Sequence, residues 1–98
     1  MQIYCDVNGT ITDGERLHAV QRMAASGHSV AFCSGFPEGA RELVGGAEVL
    51  DKVALQRERP TGALIDDDPL ILSIWARRGG IAVPAERLLE FAAAVTRP

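Results

Sequence analysis

Gln2-Ile3-Tyr4-Cys5-Asp6-Val7-Asn8-Gly9-Thr10-Ile11 is the stretch whose reading decides the fold. Gln2–Asp6 alternates apolar and polar residues like a short strand, and it ends on a carboxylate. Asn8-Gly9 is a strong turn former, so the chain must leave the strand there. Thr12 and Glu15 then have the spacing of a capping box, which predicts a helix beginning near Thr12. Leu17, Val20 and Met23-Ala24 recur at helical spacing, and Ser26-Gly27 supplies the stop, because glycine tolerates the left-handed cap conformation.

The same alternation continues outward. Ser29–Cys33 reads as a strand followed by Ser34-Gly35-Phe36-Pro37, and Glu38–Val44 as a short helix closed by Gly45-Gly46. Val53–Gln56 reads as a third, weaker strand. Ala63–Ile65 reads as a buried strand running into Asp66-Asp67-Asp68-Pro69, with Pro69 suited to the first turn of a helix. In that helix Leu70, Ile71, Ile74 and Trp75 mark one face, and Gly79-Gly80 ends it. Ile81–Val83 and Glu86–Thr96 complete the pattern as strand and helix. The expectation is one α/β domain over residues 1–98, with a three-layer Rossmann-like fold around a mostly parallel sheet of about five strands.

Right-handed crossovers put all strand C-termini on one edge of such a sheet, and ligands bind outside that edge. The polar clusters fall there: Asp6 to Thr10, Ser34-Gly35, and Asp66 to Asp68. Converging carboxylates repel one another, and a hard cation relieves the repulsion. Magnesium suits the place, since it takes one or two carboxylates, waters and a substrate phosphate. One of Asp66, Asp67 and Asp68 is expected to cap the following helix instead.

Three segments together resemble the haloacid dehalogenase (HAD) superfamily. Asp6-Val7-Asn8-Gly9-Thr10-Ile11 is similar to its first motif, and closer still to the segment of soluble P-type-ATPase-like proteins. Val30-Ala31-Phe32-Cys33-Ser34-Gly35 resembles its second motif, and Ala63-Leu64-Ile65-Asp66-Asp67 its acidic fourth. The resemblance implies a HAD-like fold and a magnesium-dependent phosphohydrolase or phosphotransferase with Asp6 as nucleophile. It implies metal binding by Asp6, the Asn8 backbone carbonyl and Asp66 or Asp67. It gives Thr10, Ser34 and Gly35 to the phosphoryl oxygens. A cation should neutralise the phosphoryl group, and Arg59, before Pro60, stands where compact members carry Lys-Pro; Lys52 is the competing residue.

Two departures matter. Phosphatases of that family carry a second Asp as acid and base where this chain has Asn8, and an amide cannot transfer protons in that way. Such a loss costs roughly 100- to 10,000-fold in rate, so the alternative is a catalytically silent domain that binds or regulates. A receiver-like signalling domain would share the acidic cluster but lack the Asn-Gly-Thr loop. The second departure is size: neither interval between the motifs has room for a cap domain. A capless site is open, which points to a large phosphorylated substrate or a homodimer to exclude water.

Net charge is −3 and the arginines are scattered, so no nucleic-acid partner is expected. No secretory signal and no membrane span are read, and Cys5 and Cys33 form no disulfide framework. The expectation is a cytoplasmic protein with two reduced thiols, which lie as neighbours on the sheet face away from the site. His18 and His28 have no triad or metal spacing, Trp75 packs a helix on the sheet, and Phe36, beside the proposed site, packs within its loop or touches a substrate.

Overall fold

A computed structural model describes residues 1–57 and 61–97. Five strands, β1 (Gln2–Asp6), β2 (Ser29–Ser34), β3 (Val49–Asp51), β4 (Ala63–Asp66) and β5 (Ile81–Pro84), form one sheet in the order β3-β2-β1-β4-β5. Every pairing is parallel. Parallel neighbours require a crossover, so each strand is followed by helical chain that returns to the opposite edge. The crossovers are α1 (Gly14–Ala25), α2 (Pro37–Ala40) with a 3-10 turn over Arg41–Val44, α3 (Lys52–Arg57) and α4 (Pro69–Arg77). A final helix, α5 (Leu88–Val95), follows a 3-10 turn at Ala85–Arg87.

Helices cover both faces, which makes the fold a three-layer, Rossmann-like α/β sandwich. On one face Val20 and Met23 of α1, Ala40 and Val44, and Leu88 and Ala92 of α5 pack on Ile3, Cys5, Ile65 and Val83. On the other, Leu55 of α3 and Leu72 and Trp75 of α4 pack on Cys33 and Leu64. Burying an aliphatic side chain of this kind contributes about 1.5–3 kcal/mol, so the two small cores together carry the fold. Trp75 meets Tyr4 edge to face with centroids 5.7 Å apart, and its Nε1–H donates to the Gly62 carbonyl at 3.2 Å. It therefore does hold a helix to the sheet. His28 Nε2 lies 2.7 Å from the Val95 carbonyl and ties the turn before β2 to α5, while His18 is exposed on α1.

Several local expectations are corrected. The cap of α1 is Asp13, not Thr12: Asp13 Oδ1 accepts from the Arg16 N–H at 2.9 Å. A carboxylate at that position also faces the positive end of the helix dipole, which a hydroxyl does not exploit. The third strand is Val49–Asp51, and the run expected as a strand belongs to α3. Four mixed residues do not separate a strand from a buried helical turn. Asp51 decides the matter locally, because its Oδ1 accepts from the Val53 N–H at 2.9 Å and turns the chain.

On α4 the buried residues are Leu72 and Trp75, whereas Leu70 is 64% exposed. Asp68 and Pro69 start the helix with its first turn toward solvent. Cys5 and Cys33 are not neighbours on one face. Cys33 pairs with Asp6 and Cys5 with Phe32, so the two thiols enter opposite cores. Phe36 is 70% exposed, and its ring lies over Gly39 of α2, where an added Cβ would stand 2.4 Å from it. No helix among the described residues is long and apolar enough to cross a membrane.

Candidate functional site

Asp6 and Asp66 end the two adjacent central strands β1 and β4, and both are buried, at 1% and 0% exposure. Hydrophobic strands carry them to the sheet edge and leave their carboxylates side by side. Lys52, at the start of α3 beyond β3, reaches over β2 to both: its Nζ donates to Asp6 Oδ1 at 2.9 Å and to Asp66 Oδ2 at 3.1 Å. The second oxygen of each carboxylate is also engaged. Asp6 Oδ2 accepts from the Thr10 hydroxyl at 3.0 Å, and Asp66 Oδ1 from the Asp68 N–H at 3.0 Å.

Asp67 completes an acidic trio, in which one oxygen from each of Asp6, Asp66 and Asp67 lies within 4.8 Å of the others. Its carboxylate rests over Gly9. A Cβ at Gly9 would stand 2.3 Å from Asp67 Oδ2, and the positive φ of 79° also calls for glycine. The Asn8-Gly9 turn thus admits the third carboxylate as well as turning the chain. Asp68 has the other role: its Oδ1 accepts from the Leu70 N–H at 2.9 Å and caps α4. It is the helix-capping member of the three.

Burial raises the Asp6 carboxyl from its ordinary 3.8 to about 6, and the Asp66 charge adds to the rise. The hydrogen bonds from Lys52 and Thr10 oppose it. Asp66 is raised for the same first reason, against the Asp68 N–H and Lys52. Burial alone would lower the Lys52 ammonium, but its bonds to Asp6 and Asp66 outweigh that and hold it above its usual range. The Cys33 thiol, buried and beside Asp6, is pushed up to about 12, so it stays protonated and inert.

Ser34 ends β2 next to this cluster, 2% exposed. Its hydroxyl donates to Asn8 Oδ1 at 3.1 Å and accepts from the Phe36 N–H at 3.0 Å. Gly35 follows it, with open space where a Cβ would stand. The structure therefore gathers Asp6, Asn8, Thr10, Ser34, Gly35, Asp66 and Asp67 at one edge of the sheet. Thr10 and Ser34 have their hydroxyls committed within the protein. Thr10 fixes the rotamer of Asp6, and Ser34 fixes Asn8, so neither hydroxyl is free for a ligand in this arrangement.

Arg59 lies outside the described residues. Among those described, the cation that reaches the carboxylates is Lys52. It is the residue the sequence offers as the alternative to Arg59, and its place directly after the end of β3 brings it to the site.

All told, the edge presents three carboxylates and one ammonium, two net negative charges when every group is ionised. A divalent, oxygen-preferring cation would neutralise them. No family model, no curated protein and no solved structure matches the chain.

Proposed function

We propose that the chain is a magnesium-dependent phosphohydrolase or phosphotransferase of the HAD type that works through an aspartyl-phosphate at Asp6. The observation that carries this reading is the pair of buried, adjacent carboxylates bridged by Lys52, with Asp67 beside them. Two buried acids of raised pKa at a strand edge cost stability, and such groups cluster at functional sites. Magnesium held by Asp6, the Asn8 backbone carbonyl and Asp66 or Asp67 would neutralise phosphoryl charge.

The chain's own residues supply the rest. Thr10 orients the Asp6 carboxylate, which attacks phosphorus. The bond from phosphorus to the leaving oxygen breaks, and the alkoxide takes its proton from water, since Asn8 has none to give. Water or an acceptor hydroxyl then attacks the aspartyl-phosphate, releases the phosphoryl group and restores the carboxylate. Lys52 stabilises negative charge through both steps. The substrate or a second copy of the chain would exclude water from the open edge, and two buried thiols suit a cytoplasmic setting.

Asn8 favours the second reading, a HAD-like binding or regulatory domain without turnover. Its amide is held by Ser34 and offers no acid or base. Hydrolysis of an aryl phosphate with and without magnesium, with Asp6→Asn as control, separates the two. Magnesium-dependent turnover that is lost in the variant supports the enzyme; no turnover above the variant supports the binding domain.

A further inference from the structure

Beside the acidic trio a cleft of about 270 Å3 opens between the loop after β1, the first turn of α1 and the loops after β4 and β5. Gly9, Thr10, Thr12, Arg16, Asp67, Ala85 and Glu86 line it. Asp67 belongs to both cleft and trio, so a group bound in the cleft adjoins whatever Asp6 holds.

The lining has a definite chemistry. It offers two hydroxyls, of which that of Thr10 is committed to Asp6, two carboxylates and a guanidinium, the methyls of Ala85 and the two threonines, and no aromatic or large aliphatic side chain. Arg16 is positioned from behind, its Nη1 donating to Asp13 Oδ2 at 2.5 Å, which balances much of its charge. A second anion on the ligand would therefore meet Asp67 and Glu86 with little to offset them. An aromatic ring would strip water from four polar groups and return no hydrogen bonds. A hydroxyl-rich group satisfies both the acceptors and the donors. The volume lies just below the range usual for sites of drug-sized ligands, roughly 300–1,000 Å3, so the group is small.

We propose that this cleft is the leaving-group subsite and that it takes a small, polyhydroxylated, otherwise uncharged alcohol. The inference rests on the reading of Asp6 as phosphoryl acceptor, and it assigns Thr12, Arg16 and Glu86 as specificity residues.

The test is binding, followed by NMR titration of the full chain with magnesium, using sorbitol 6-phosphate, phenyl phosphate and 3-phosphoglycerate as probes. Sorbitol 6-phosphate should bind at least about tenfold more tightly than the other two, a difference of about 1.4 kcal/mol, and should shift the Thr12, Arg16 and Glu86 resonances. Glu86→Ala and Thr12→Val, both at exposed positions, should each reduce that preference. Equal or tighter binding of phenyl phosphate, no binding of any probe, or a preference untouched by both substitutions overturns the subsite. Turnover of the same probes keeps the two readings apart. Preferential polyol-phosphate binding without hydrolysis leaves the subsite standing and removes the enzyme, whereas hydrolysis without the preference does the reverse.

Discussion

Lys52 Nζ stands 2.9 Å from Asp6 Oδ1 and 3.1 Å from Asp66 Oδ2, so one ammonium is shared by two carboxylates that end separate strands. The three groups come from β1, β4 and the start of α3 and carry one net negative charge when all are ionised, so removing the ammonium leaves two unbalanced acids, whereas neutralising one carboxylate leaves a balanced pair. Lys52→Met leaves two buried acids facing each other. The expected loss is on the order of 3 kcal/mol at pH 8. It shrinks at pH 5, where the raised carboxyls take up protons. Urea unfolding at the two pH values measures both effects, and an equal loss at each would contradict the charge argument.

Asp6→Asn has the opposite sign. Burial outweighs the favourable contacts of Asp6, so the neutral amide should stabilise the metal-free protein by about 1–2 kcal/mol at pH 7.5 while abolishing turnover. Thermal unfolding with a chelator present, beside an aryl phosphate assay, reads both. A destabilised variant would mean that the Lys52 contact dominates.

The pH course of that difference follows from the direction of the shift. A carboxyl raised from 3.8 to about 6 binds its proton more tightly when folded. Its contribution to stability is complete below about pH 4 and is lost as pH rises through about 6. The stability gap between Asp6→Asn and wild type should therefore widen from pH 4 to pH 6 and level off above. Denaturation curves in steps of half a pH unit trace it; a gap that narrows over this range would reverse the assignment.

Asn8→Asp supplies the missing acid and base at a position already held by Ser34. If the site turns over phosphate esters, hydrolysis should rise about 100-fold, the lower end of what general acid–base catalysis contributes. The aspartyl-phosphate should become correspondingly shorter-lived, as seen by acid-quench trapping. An unchanged rate would place the slow step elsewhere.

Asp67 and Asp68 are neighbours with different work. Asp68→Ala removes the α4 cap and should cost about 1 kcal/mol with magnesium affinity little changed. Asp67→Ala should leave stability nearly unaltered and weaken magnesium binding. Isothermal titration paired with thermal unfolding distinguishes them, and loss of magnesium affinity on removing Asp68 would undo the division.

Much of this architecture was legible in the residues alone. The alternation of short apolar runs with helical spacing determined the α/β class, because strand and helix periods differ and most runs are followed closely by Gly, Pro or Asn. The loops after β1, β2 and β4 were legible as polar clusters because parallel strands must deliver their C-termini to one edge. The strand at Val49–Asp51 was not: three residues carry too little periodicity, and the following apolar run imitates a strand. With that strand misplaced, Lys52 and Arg59 stay competing cations in the sequence, since a lysine is tied to the site edge only when the strand before it is known.

What only the tertiary structure decided is how each group is spent. Side-chain type told that Thr10 and Ser34 could bind phosphate, but packing commits their hydroxyls to Asp6 and Asn8. Three consecutive aspartates look alike in sequence. The end of β4 buries Asp66, the turn exposes Asp67 over Gly9, and the helix start claims Asp68. Local sequence determines which chemical groups are present and roughly where along the chain they fall. Which of them meet, and which are already satisfied, depends on contacts between residues far apart in the chain, and those exist only once the sheet has formed.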